Sequence, residues 1–293
     1  MILEYIVPKT LSAMPARVFL QKKMHFSSTQ WKKLRASHSF KQNGALVNPA
    51  RTIISPGDIL TFEYLPPTTA ALPPADLPLQ ICYEDDWLLI VNKPARQLVH
   101  PTVKENKCTL ANAVLGYYQR NGTEYAFHPV HRLDRATSGL LLIAKVPQIQ
   151  YALSNHNALQ RWYLAILTGK ISPLNGSITA PIARKNGSII ERCVSPDGQS
   201  AITNYKTLKI LGDYSLVEIR LQTGRTHQIR VHFASINHPL LGDDLYGGDC
   251  SLMKRQALHS SHMRFLHPVT QEIIDLSTPL PLDMKTFIDN ICN

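Results

Sequence analysis

Apolar and polar positions follow distinct rhythms along the chain. Trp87-Leu88-Leu89-Ile90-Val91 runs apolar without a break, which predicts a strand buried on both faces, entered through a turn at Asp85-Asp86. Gly139 to Ala144 repeats the pattern, and Arg161 to Leu167 and Ser200 to Ile210 give further strand signals. Between Ser215 and Gln222, Val217, Ile219 and Leu221 alternate with Glu218, Arg220 and Gln222, the period of a half-buried strand. Helices are expected at Leu110 to Arg120 and at Gln148 to Gln160. Strands outnumber helices and follow one another through short turns. An α+β domain on a mixed, largely antiparallel central sheet is therefore expected.

The first 64 residues are patterned on a smaller scale. Ala16 to Lys23 and Gln30 to Arg35 read as short helices, the second with capping oxygens at Ser27-Ser28-Thr29. Asn43-Gly44 marks a turn, and Ile59 to Tyr64 a strand after Pro56-Gly57. Leu65 to Pro78 contains Pro66, Pro67, Pro73, Pro74 and Pro78 and reads as an extended linker. The chain thus divides into a module at 1–64, a linker at 65–78 and a larger unit at 79–293.

Charge singles out the small module. Residues 1–64 carry nine basic and three acidic side chains, a net of +6 out of +10 for all 293 residues. Lys22, Lys23, Lys32, Lys33, Arg35 and Lys41 gather there, as in a surface that meets a polyanion. Taken alone, the charge is equally that of a solvated face. The five cysteines are scattered, odd in number and never in CxxC, which suits a reducing cytoplasm and neither a disulfide framework nor a zinc ribbon. No apolar run approaches the roughly 18–20 residues of a membrane span. The first residues lack the basic start and apolar stretch of a signal peptide.

Three segments carry candidate chemistry. His131-Arg132-Leu133-Asp134-Arg135-Ala136-Thr137-Ser138-Gly139 sets a carboxylate between arginines at the entrance of an apolar strand. Flanking cations favour the ionised form of such a group. In isolation it reads as an ion-pair turn. Gln222-Thr223-Gly224-Arg225-Thr226-His227-Gln228-Ile229-Arg230-Val231-His232 is a strand end, a turn and a helix start. Thr226 is the expected cap, Ile229, Phe233 and Ile236 share the inner face, and Arg225 projects from the turn. Arg161 to Leu167 places Tyr163 near a strand start, a position usually given to core. His227 and His232, like His259, His262 and His267, lack metal-ligand spacing, so no metal is expected.

In order and spacing, these segments resemble the signature of the RluA family of pseudouridine synthases, over about Ile81 to Pro281. Val91-Asn92-Lys93-Pro94, Val99-His100-Pro101, His238-Pro239-Leu240-Leu241-Gly242-Asp243, His267-Pro268 and Pro279-Leu280-Pro281 fit the same order. Ala95-Arg96 departs from the Ala-Gly that the family commonly carries. The basic module resembles the small RNA-binding domain first seen in a ribosomal small-subunit protein, without its usual opening Arg-Leu-Asp.

The resemblance implies an RNA-modifying enzyme without cofactor, acting as a monomer on ribosomal RNA more often than on transfer RNA. Asp134 would be the catalytic carboxylate, Arg225 its charge partner and Tyr163 the residue against the uracil. Arg132 would fill the space of a flipped base. His131, Arg135, Lys93, Gln228 and Arg230, with Lys32, Lys33 and Arg35 of the module, would contact RNA. Two rivals differ in class. An RNA-binding protein that had lost catalysis would have no physical need of Asp134, Tyr163 and Arg225 together. A glycoside hydrolase would need two facing acids, and the signature segments hold one.

Overall fold

The computed structural model describes residues 2–24, 26, 28–63, 72–123, 125–154 and 158–292. The first of these build a small module of β1 (Ile2–Ile6), β2 (Met14–Pro15), α1 (Ala16–Lys22), α2 (Ser28–Ser37), β3 (Lys41–Gln42), β4 (Ala45–Leu46), β5 (Ile53–Ile54) and β6 (Ile59–Glu63). Four strands pair antiparallel in the order β1-β6-β3-β4. Trp31 and Leu34 turn inward from α2, which leaves Lys32, Lys33 and Arg35 exposed on its outer face. Tyr64 and the first half of the proline stretch lie outside the described residues.

The rest of the linker is not free. Asn112 Nδ2 donates to the Pro73 carbonyl at 2.7 Å, Ala75 N donates to the Asn112 carbonyl, and Arg120 pairs with Asp76. All three anchors lie on α3 (Leu110–Arg120), whose capping box joins Thr109 and Asn112. Gly116 permits the approach, because a Cβ there would overlap the Ala75 carbonyl. Residues 73–76 of the linker are therefore held against α3. Proline leaves carbonyls unpaired within the segment, and the helix supplies their donors.

Ten strands form the main sheet. They are β7 (Ile81–Glu84), β8 (Leu88–Lys93), β9 (His128–Pro129), β10 (Ser138–Ala144), β11 (Leu159–Thr168), β12 (Asn175–Thr179), β15 (Ile202–Leu211), β16 (Tyr214–Leu221), β17 (Leu258–Leu266) and β18 (Ile273–Ser277). The hairpin of β13 (Ile182–Arg184) and β14 (Arg192–Val194) stands apart. The order is β12-β15-β16-β11-β17-β10-β8-β7, with β9 beside β10 and β18 beside β17. Among the described residues, only β10 and β17 pair parallel. Helices α4 (Pro147–Ser154), α5 (Gln228–Ser235) and α6 (Leu282–Cys292) complete the unit. The helix expected to reach Gln160 stops at Ser154, and Leu159 and Gln160 already belong to β11.

Both faces of the middle strands are covered, which is why their sequences run apolar without alternation. Leu89, Val91, Leu141 and Ile143 join α3 and α5 in one cluster, with Val114, Tyr118, Ile229 and Phe233. Leu88, Ile90, Leu140 and Leu142 lie in a second cluster that takes in Phe19, Leu20 and Trp31 of the small module. Gly139, at φ +110°, lets β10 approach β17, since a Cβ there would overlap the Ser260 backbone.

The turn into β8 is organised by one carboxylate. Asp85 accepts the amides of Trp87 and Leu88 at 2.7 Å and the Tyr83 hydroxyl at 2.6 Å. His267 Nδ1 accepts the amides of Val269 and Thr270, so its proton sits on Nε2, 3.1 Å from Asp85 Oδ2. Burial works to raise the Asp85 carboxyl, but these donors outweigh it and hold the group at about 2.

Asp85→Asn should therefore lower stability by about 1 kcal/mol at neutral pH, solvent screening included. The folded pKa lies below the unfolded value of about 3.9, so the contribution is complete above that pH and vanishes toward about 2. Urea unfolding at about pH 7 and about pH 2.5 checks this. The gap between the two proteins should be complete at the first and cut to about a third at the second.

Candidate active site

Asp134 lies on the loop that enters β10, with its side chain 26% exposed. Two buried cations hold the backbone that follows it. Lys93 Nζ donates to the carbonyls of Pro94, Gln97 and Arg135, at 2.8, 2.9 and 3.2 Å. Arg255 Nη1 donates to the Ala136 carbonyl at 3.1 Å, while its Nε and Nη2 form a fork with Asp283 of α6. The Asp134 carbonyl accepts Thr137 N, which closes the turn. Desolvation pulls the Lys93 ammonium down to about 7, against the attraction of Asp134 and with repulsion from Arg255.

The carboxylate itself is held by Arg230. Its Nη1 donates to Asp134 Oδ2 at 3.2 Å, and its Nε and Nη2 form a fork with the fully buried Asp243 at 2.7 Å each. The guanidinium, 7% exposed, is thus shared between one buried and one accessible acid. Its pKa is raised despite desolvation, because both carboxylates favour the charged form.

Arg225, expected as the partner of Asp134, lies elsewhere: its Nε donates to the Ser200 carbonyl at 3.0 Å. Local geometry explains the exchange. Gln228 Oε1 accepts both Arg225 N and the Thr223 hydroxyl, which pins the turn before the helix. His227, not Thr226, is the N-cap of α5, in a left-handed conformation and without a capping side-chain bond. The helix is buried around most of its girth, from Gln228 to Phe233, so a charge at 230 must point inward and find an acid.

Several expected RNA contacts are structural instead. Lys93 is fully buried on its three carbonyls. Gln228 uses every donor and acceptor of its amide, its Nε2 donating to Ile202 O and Thr203 Oγ1. His131 accepts the Leu142 amide through Nε2, and burial pushes its pKa well below the usual value. Arg230 is committed to its two acids. Arg132 and Arg135 do face outward, and Arg135 meets Glu105 at 3.2 Å and the Arg96 carbonyl at 3.3 Å. Arg96 itself stands at φ +67°, which accounts for a glycine elsewhere in the family.

Asp134 opens into a groove of about 1000 Å³ lined by His100, Phe127, Arg132, Arg135, Arg161 and His227, among others. Beneath it, Tyr163 of β11 helps to line a recess of about 50 Å³ with Asp134, Leu133 and Leu258. Tyr163 is buried, which raises its phenol pKa; Arg161 opposes this and Asp134 adds to it. The phenol is neutral at physiological pH. Among the described residues, no group of three or more His, Cys, Asp or Glu side chains is placed to hold a metal ion, and no helix is long and apolar enough to cross a membrane.

Residues 87–235 match the sequence model of a family described as RNA pseudouridylate synthase. The chain is 40% identical to the uncharacterized RNA pseudouridine synthase YjbO of Bacillus subtilis, over 80% of this chain and 85% of that protein. It is 38% identical to ribosomal large subunit pseudouridine synthase D of Zymomonas mobilis, over 83% of this chain and 82% of that protein. A solved human structure, RNA pseudouridylate synthase domain containing 4, shares the fold with a TM-score of 0.60 at 22% identity. It covers 73% of this chain and 93% of that one. A fold and sequence of this kind define an RNA-acting isomerase. The chain belongs to the RNA pseudouridylate synthase family.

Asp243→Ala should destabilise the protein by about 3–5 kcal/mol, because it leaves the Arg230 guanidinium buried with one weak partner. Arg225→Gln removes a single, partly exposed bond and should cost about 0.5 kcal/mol or less. Denaturant unfolding of the two variants separates these outcomes.

Proposed function

We propose that this enzyme converts uridine to pseudouridine in ribosomal RNA, with Asp134 as the reacting carboxylate. The observation that carries the reading is the Asp134–Arg230–Asp243 chain at the floor of a groove lined with basic residues. Relatives named for the ribosomal large subunit favour ribosomal over transfer RNA as the substrate. Five free cysteines suit a reducing compartment, and we place the enzyme in the cytoplasm as a monomer.

The reaction breaks the bond from base nitrogen to ribose, turns the uracil and rejoins it through carbon. Atoms and redox state are unchanged, so an ionised carboxylate at the sugar suffices without a cofactor. Arg230 keeps that carboxylate charged and oriented, a role the sequence suggested for Arg225. Asp134 then acts on the ribose, either at the anomeric carbon or on a neighbouring proton. Tyr163, a neutral phenol beside the recess, lies against the uracil and can pass a proton. Arg132, exposed at the rim, occupies the place of the flipped base.

Asp134→Asn should leave the melting temperature and RNA affinity near those of the parent and lower turnover by about 1000-fold or more. Pseudouridine mapping of ribosomal RNA, from cells lacking the protein and from cells carrying the variant, reads the result. The same sites should be unmodified in both. Modification restored by the variant would remove Asp134 from the chemistry.

The outer face of α2 supplies phosphate contacts in this reading. Replacing Lys32, Lys33 and Arg35 together by Ala should weaken RNA binding and make the slope of log affinity against log salt shallower by about 2. Titration of both proteins at several salt concentrations checks it. Coincident slopes would show that this face is merely solvated.

A further inference from the structure

His227 is held in an unusual way for a residue with no part in the chemistry so far. Its backbone is left-handed, φ 57° and ψ 18°, a conformation that costs about 1 kcal/mol or more for a residue with a Cβ. It gains no capping bond in return. The imidazole instead spans the space between Asp134 and Tyr246. Nε2 is 3.9 Å from Asp134 Oδ2, and Nδ1 is 2.8 Å from the Tyr246 hydroxyl.

The hydroxyl fixes which nitrogen carries the proton. Tyr246 Oη accepts the Arg192 amide at 2.9 Å, which leaves its own hydrogen to donate, and His227 Nδ1 is the acceptor within reach. The ring of Tyr246 is itself fixed, edge-on to the imidazole at 5.7 Å and beneath the Arg230 guanidinium at 4.9 Å. The proton of the neutral imidazole is therefore on Nε2, directed at the carboxylate. Burial lowers the His227 pKa; Arg230 and Arg192 add to this, while Asp134 and Asp243 oppose it.

At 3.9 Å there is no hydrogen bond yet, but a shift of about 1 Å would make one, and such bonds often tighten only when substrate binds. Arg230 already holds the same oxygen. We propose that His227 is a positioning residue. In the RNA-bound enzyme its Nε2–H and Arg230 together hold Oδ2 of Asp134, so that Oδ1 is the oxygen presented to the ribose. This role presupposes Asp134 as the reacting carboxylate.

Two amides separate the side chain from the backbone at this position. His227→Gln can place an N–H where Nε2 stands. His227→Asn cannot, although asparagine tolerates the left-handed conformation better. Steady-state pseudouridine formation would be measured for the full-length proteins on ribosomal RNA from cells lacking this enzyme. The Asn variant should lose about 10- to 100-fold in kcat with KM within about twofold, and Gln should recover most of that loss. Tyr246→Phe, which frees the tautomer, should lower kcat without changing KM.

Full activity of the Asn variant would overturn the proposal, as would equal losses in Asn and Gln that follow their melting temperatures. If the Asn variant does not fold, the Gln and Tyr246→Phe proteins decide: wild-type turnover in Tyr246→Phe, or a Gln loss as deep as that of Asp134→Asn, overturns it. Activity in Asp134→Asn would instead remove the underlying reading of the carboxylate. An inactive Asp134→Asn beside a fully active His227→Asn removes only the positioning role.

Discussion

A buried guanidinium shared by two carboxylates is the constraint around which the site is built. Arg230 could not sit on a helix covered on most sides without a compensating charge, and Asp243 provides it at full burial. That pairing leaves Nη1 for Asp134. The accessible acid thus receives a charge partner that is already ordered, and whose own desolvation is offset by a different residue. The cost of holding a cation in the interior falls on the Asp243 pair, and the benefit appears at Asp134.

Much of this fold could be read from the chain. The apolar runs at 87–91 and 139–144 became central strands because both sheet faces are covered, and α3 has the limits its periodicity gave. The end of α4 was misjudged because no Gly or Pro between Ser154 and Gln160 marks a stop, while Leu159 and Gln160 pair with β17 as a strand. The attachment of the proline linker left no local mark, because its contacts come from Asn112 and Arg120, some forty residues away.

Within the site, Asp134 was visible as a carboxylate at the entrance of an apolar strand, and Tyr163, expected near a strand start, lies inside β11 and helps to line the same recess as Asp134. The choice between Arg225 and Arg230 was not visible. It depends on a left-handed turn at His227 and on Gln228 closing that turn with both ends of its amide, and neither leaves a mark on hydrophobic period. One clue was available: a lone arginine amid Ile229, Val231 and Phe233 on a helix implies a buried acid, and Gly242-Asp243 offered one. Lys93, Gln228 and His131 were misread for a related reason. Polar side chains beside an accessible carboxylate can serve the backbone as readily as a ligand.

The clamp on the Ala136 carbonyl has a consequence for how the protein is made. Arg255 reaches that carbonyl from far along the chain and is itself gripped by Asp283, at the start of α6. During translation, Asp134, Arg230 and Asp243 all leave the ribosome before either of these residues does. A nascent chain can therefore assemble the charge relay early but lacks half of the brace beneath its acid until α6 has emerged. Synthesis of α6 sets the moment at which the braced site first exists.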